Sequence, residues 1–433
     1  MLPQSNLLIL APIAPGREQA LRDLLATMNL RPGFADPGNS LVPFERFDRI
    51  HVARLMILED PAHDDIRVYG IEPEPFVTSL AFLVDCDGSA DELIAELAAR
   101  CEPGLRQLFS CCQDFPAGGD LLAWMHRHRR PAVAAYVNWI GRTVRQVREE
   151  ARLYDALSAH LDAKAGTIAQ GDLQSVRRQL VQFVDAQKQA GAITLTAPEP
   201  TPIGWWMRNL LHAIAVPLVL VAVSPLLLLY LPVFLWLLRR HETRDPEILT
   251  RPDLQRRAAI AALEDHDVTN PYIVMGYLKP GWFRLSTVLF LLWLVDYAAR
   301  HIYGRGGLTR VRTIHFARWV FINGRKQMFF ASNYDGSLDS YMDDFINKVG
   351  WGLNVLFSNG VGYPRTSWLI HGGSSVEQDF EYYLQSRQLP VQVWYKAYPG
   401  LNAFDLMRNS LIRRGLERPT MTDAEIREWL QLL

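Results

Sequence analysis

Cysteine is scarce in this chain, four among 433 residues, and Cys86, Cys101, Cys111 and Cys112 form neither a CxxC pair nor a ligand spacing with histidine. That pattern argues against a zinc ribbon or a thioredoxin-like dithiol and predicts buried thiols in a reducing compartment. Charge of one sign is missing too. A formal net charge of −1 leaves no basic excess for tracking phosphates, so no nucleic-acid partner is expected. The local basic run HRHRR, His126 to Arg130, reads as a solvated helix face. No basic region precedes the short apolar run LLILAPI near the start, so export is not predicted. There is no GxSxG elbow, P-loop, HExxH or GxGxxG after a strand, which argues against hydrolases, kinases and nicotinamide enzymes.

What the chain does contain is a tandem repeat. RIHVARL (Arg49 to Leu55) returns as TIHFARW (Thr313 to Trp319), and landmarks on both sides keep the same order. A strand runs into Pro15-Gly16 in the first half and into Pro280-Gly281 in the second, about 35 residues before each histidine. After the histidine come FLVDCDGS and FFASNYDGS, then LFS twice, and last PAVAAYVNWIG (Pro131 to Gly141) and PVQVWYKAYPG (Pro390 to Gly400). Each copy reads strand, helix, strand, strand, helix, strand, followed by a further helix at Thr143 to Leu157 or Ala403 to Arg414. This predicts an α+β protein of two ferredoxin-like units whose apolar sheet faces bury each other in one intramolecular barrel. Residues 1–160 and 271–433 are the expected units, and 161–270 a helical linker carrying a membrane anchor. The extra residues, Glu59 to Pro75 in one copy and His371 to Gln378 in the other, fall at loops.

Leu210 to Leu238 carries no charge over 29 residues, longer than the ~20 needed to cross a bilayer. A single crossing would separate two sheets that need each other, and two crossings need about 40 apolar residues. Pro217, Pro225 and Pro232 interrupt the run, and Arg208, Arg239 and Arg240 flank it on both sides. The expectation is therefore a monotopic anchor over about 205–240, a re-entrant or in-plane hairpin on the cytoplasmic face. Leu285 to Val295 is too short to span. By the repeat it is the first helix of the second copy, lying against the bilayer or the anchor.

Strand alternation places His315 with Ala317, Trp319 and Phe321 on one face and Arg318 with Ile314, Phe316 and Val320 on the other. His51 and Arg54 divide the same way. A buried arginine needs a carboxylate, and Asp87 and Asp335 in the Asp-Gly turns are the expected partners, each also capping the helix that follows. These four residues read as structural pairs before catalytic ones. His315 and His51 remain open between a core histidine, a haem or metal ligand and a general base. His126, His128 and His371 have no counterpart in the other copy and read as surface residues.

On these repeats the chain resembles the dimeric α/β-barrel superfamily. The turns DCDGS and NYDGS are similar to the GxxDG of dye-decolourising peroxidases, with Val84 and Ser332 where that motif has its first glycine. From TIHFARW through SNYDGSLDSYMDDF to VWYKAYPG the second half resembles bacterial membrane-associated members without an assigned function. The resemblance implies a membrane-associated oxidoreductase, peroxidase-like or monooxygenase-like, acting on a hydrophobic small molecule or lipid. Haem is the cofactor it would allow, with His315 as a ligand. The alternative is a non-enzymatic lipid- or partner-binding protein in which every repeated motif is structural.

Overall fold

A computed structural model describes residues 1–164, 172–248, 251–304, 306–308 and 311–433. Residues 165–171 and 249–250 of the expected linker thus lie outside the described residues. The first half contains β1 (Gln4–Pro12), α1 (Glu18–Ala26), β2 (Ile50–Leu58), β3 (Ser79–Asp87), α2 (Ala90–Arg100), α3 (Glu102–Phe109), α4 (Leu121–His128), β4 (Ala134–Val137) and α5 (Val144–Ala163). Helices α6 (Leu173–Gln189), α7 (Ile203–Arg244) and α8 (Leu254–Ala261) follow. The second half contains β5 (Thr269–Tyr277), α9 (Trp282–His301), β6 (Ile314–Ile322), β7 (Gln327–Asp335), α10 (Leu338–Phe357), α11 (Glu377–Arg387), β8 (Val393–Lys396), α12 (Ala403–Glu417) and α13 (Asp423–Leu430). It is a mixed helix-and-sheet protein with antiparallel sheets.

The two four-stranded sheets run β1-β3-β2-β8 and β4-β6-β7-β5, so each takes three strands from one half and its fourth from the other. The exchange is symmetric: Val393 pairs with Leu55 and Ala134 with Trp319, and Leu55 and Trp319 end the two IHxAR stretches. The lead-in to each exchanged strand first bonds its own half, Arg130 N to Leu8 O at 2.8 Å and Leu389 N to Ile273 O at 2.9 Å. The sheets are therefore joined along both edges. Between them lies one apolar layer, with Val52, Met56 and Leu83 from the first half and Met275, Val320 and Phe329 from the second. The other face of each sheet is covered by helices. All four cysteines are buried and free.

Both histidines sit at a β-bulge. Ile50 pairs with Cys86 and Val52 with Asp85, leaving His51 as the extra residue; Ile314 and Phe316 leave His315 in the same way against Tyr334 and Asn333. The extra residue corrects the simple alternation expected for these strands. Ile50 packs with Ala53, Leu55 and Ile57 on the helix side, while Val52 and Met56 face the inter-sheet layer.

The hairpin expected over 205–240 is not there: α7 is one continuous helix of 42 residues that carries Pro217, Pro225 and Pro232 inside it. Each proline removes one backbone donor, a loss that leaves the rest of the hydrogen-bond ladder intact. Among the described residues, α7 and α9 are long and apolar enough to cross a membrane. They lie antiparallel. His212 Nδ1 meets His301 Nε2 at 2.9 Å and Tyr297 Oη donates to Ala213 O at 3.3 Å near one end, and Phe234 packs on Phe283 at 5.5 Å near the other. Both approaches to α7 are clipped to the globular body. Before it, Thr196 donates through N and Oγ1 to Glu149, at 2.6 Å each, and Thr196 O accepts from Arg413. At its end, the buried Glu242 accepts from Thr366 Oγ1, Trp368 N and Leu369 N at 3.0, 2.9 and 2.8 Å. The outward face, with Leu218, Val221, Leu226, Leu228 and Leu229, is exposed.

Candidate functional site

The Asp-Gly turns close each IHxAR strand through a carboxylate that does three jobs. Asp87 Oδ1 accepts from His51 Nε2 at 2.9 Å and Gln4 Nε2 at 3.0 Å, and its Oδ2 from Val144 N, the first residue of α5, at 2.8 Å. Asp335 repeats this with His315 Nε2 at 2.7 Å, Thr269 Oγ1 at 2.5 Å and Ala403 N, at the start of α12, at 2.7 Å. Burial alone would raise the Asp335 carboxyl, but His315, Thr269 and the α12 amide together hold it below the ordinary aspartate range. The helices that directly follow the turns are capped instead by Ser89, whose Oγ accepts from Asp91 N, and by Ser337, which accepts from Ser340 N. That corrects the expected capping role of the two aspartates, because each carboxylate is already spent on a histidine and on a helix distant in sequence.

The expected Arg54–Asp87 and Arg318–Asp335 pairs are corrected as well. Both guanidiniums turn to Asp85, on the layer between the sheets, with Arg54 Nη2 3.9 Å from Oδ2 and Arg318 Nη2 on Oδ1. Each arginine also reaches a carbonyl of the opposite half: Arg54 Nη1 donates to Ser332 O at 3.0 Å, and Arg318 Nη2 to Val84 O at 3.2 Å. Ser332 and Val84 are equivalent positions of the repeat. Asp85 has no acidic twin, since Asn333 stands at the matching place and accepts from Phe316 N at 2.8 Å. Two guanidiniums thus share one buried carboxylate. Desolvation, with Arg318 adding to it, lowers the proton affinity of Arg54.

For haem, the residues do not fit. Iron ligation needs a free ring nitrogen facing open space. In His51, Nε2 is bound to Asp87 and Nδ1 lies 3.1 Å from the Tyr398 hydroxyl, with the residue 3% exposed. His315 is equally buried, with Nε2 on Asp335. No step is therefore routed through such a group. Among the described residues no cluster of three His, Cys, Asp or Glu could hold a metal ion. Of the unpaired histidines, His371 is exposed, whereas His128 packs on Trp124 with ring centroids 4.0 Å apart.

One polar chain was not foreseen. Lys396 Nζ donates to Thr269 Oγ1 and to Leu401 O, both at 2.5 Å, and the Thr269 hydroxyl in turn donates to Asp335. Burial brings the Lys396 ammonium down to about 8. The side chain lies at the edge of a cleft of about 220 Å³ lined by Phe34, Glu45, Arg148 and Asp267 among others. In the aligned repeats Val137 stands opposite Lys396, so a lone lysine on an otherwise apolar strand was the available signal.

A second polar knot lies where α7 ends. Asp245 accepts from Arg284 Nη2 at 2.6 Å, has Lys279 Nζ at 3.5 Å and meets His241 Nδ1 at 3.3 Å. Burial opposes ionisation of Asp245, yet Arg284 and Lys279 hold its carboxyl below the ordinary range, while burial and Arg284 bring Lys279 down to about 8. No protein-family model, curated protein or solved structure matches the chain.

Proposed function

We propose that the protein is a membrane-associated, non-catalytic binding protein for hydrophobic or amphiphilic molecules, with the repeated motifs holding its frame. In this reading two fused ferredoxin-like units close into one barrel of the dimeric α/β-barrel type, and the strand exchange supports it. The carrying observation is that the chain on both sides of α7 is tied to the same body, by Glu149 to Thr196 before it and by Glu242 to the 366–369 loop at its end. In this reading a helix so tied does not carry its two ends to opposite sides of a bilayer, and its exposed apolar residues meet the lipid. The haem version of the oxidoreductase reading has less support, because both histidines are buried and Nε2 of each is engaged by the aspartate of its turn.

Single cysteines at Gly204 and Arg240, near the two ends of α7, test the placement. The four native thiols are buried and stay silent toward a membrane-impermeant maleimide. Both sites labelled from the same side of sealed vesicles is the expected result; labelling from opposite sides establishes a crossing and overturns the reading.

A further inference from the structure

The cleft beside the start of α9 has the composition of a site for a chain with a charged head. It measures about 450 Å³, within the ~300–1,000 Å³ of small-molecule sites, and its walls include Ile66, Ile71, Tyr277, Trp282 and Leu285. Trp282 is exposed and lies on the helix that packs along α7, so the apolar face of the helix pair runs directly into the cleft. Its polar lining is Lys279, Arg325 and Lys326 against Glu72 and Glu74. The acids are already occupied: Glu74 holds Lys326 at 2.5 Å and Glu72 holds Arg67 at 2.7 Å. On the floor Lys279 is nine-tenths buried, yet it shares Asp245 with Arg284, which takes the closer contact. Glu242, the other buried carboxylate acting on Lys279, is bonded to Thr366, Trp368 and Leu369, so among the described residues the Lys279 ammonium has no carboxylate nearer than the 3.5 Å of Asp245 and can take a closer anion. The first turn of α9, opening at Gly281 with no side-chain cap, adds free amides and the positive end of a helix dipole.

We propose that this cleft binds an anionic single-chain amphiphile, of the free fatty acid class, with its head on Lys279 and the α9 amides and its chain along Trp282 and Leu285. The proposal rests on the membrane-associated reading, since the ligand enters from the lipid face of α7 and α9. The volume suits one chain rather than the two of a bilayer phospholipid. The neighbouring Asn323-Gly324-Arg325 turn, with all three residues at positive φ (48°, 61° and 69°), places Arg325 at the rim.

Binding of oleate to the full-length protein, delipidated in a non-ionic detergent, is measured beside oleyl alcohol, which has the same chain without the charge. The expected result is tighter binding of oleate and, in Lys279→Met, a loss of about tenfold or more, as for one charge-assisted hydrogen bond. Lys279→Met leaves Asp245 with Arg284, so its circular dichroism should match the wild type. If that variant fails to fold, the wild-type ratio of oleate to oleyl alcohol decides. Equal binding of the two, no binding of oleate, or an unchanged Lys279→Met overturns the proposal. Flotation of the same protein with phosphatidylcholine vesicles reports separately: protein that floats but ignores oleate loses the site and keeps the membrane reading.

Discussion

Asp85 is the residue on which the two halves most depend. It lies between the sheets with Arg54 and Arg318 turned to it, one guanidinium from each half, and removing it leaves two buried cations facing carbonyls and, for Arg54, the Trp394 ring, with no carboxylate from Asp85. Asp85→Ala is expected to cost about 3–5 kcal/mol, the loss that follows when a buried ion pair keeps one side and loses the other; a urea titration of both proteins measures it. Lys396 gives a prediction of opposite sign. Its folded pKa lies near 8 against an ordinary 10.5, so the unfolded chain binds more protons between those values and stability rises with pH across that window. Lys396→Met abolishes this side chain's share of the rise, and melting temperatures collected from pH 7.5 to 10.5 check it.

At the scale of elements, the aspartates do more than the serines beside them. Ser89 caps α2 alone, and Ser89→Ala should cost about 0.5–2 kcal/mol. Asp87 joins the end of β3 to the β2 bulge through His51 and to the start of α5 through Val144, so Asp87→Ala is expected to cost clearly more in the same denaturation measurement. These links explain what the pattern of residues could and could not convey. The order of strands and helices and the burial of Arg54 and Arg318 were legible because they follow from landmarks and polarity. The partners were not, because one extra residue at each bulge shifts the faces of a strand whose period is two, and no residue type announces it. The three prolines of α7 misled because each removes a single donor from the backbone ladder, and the remaining bonds carry the helix through all three.

The whole molecule is held by exchange. Neither half owns a complete four-stranded sheet, so residues 1–164 alone should leave the β2 edge at Val52 to Leu55 unpaired. That piece is expected to be either unfolded or a dimer trading Ala134–Val137 between copies. Light scattering with circular dichroism distinguishes both from a folded monomer, which would contradict the exchange. The sequence could place strands in order but not say which half each fourth strand would serve, since the two acceptor edges, IHVARL and IHFARW, are nearly the same. The exchange also sets a timetable during synthesis. The β2 edge is made early and its partner, Val393–Lys396, arrives roughly 20–70 s later at ordinary elongation rates of ~5–20 residues per second. Helix α7 emerges within that interval, so on the membrane-associated reading proposed above the chain can meet a bilayer before its sheets are complete, and the final closure then takes place at the surface.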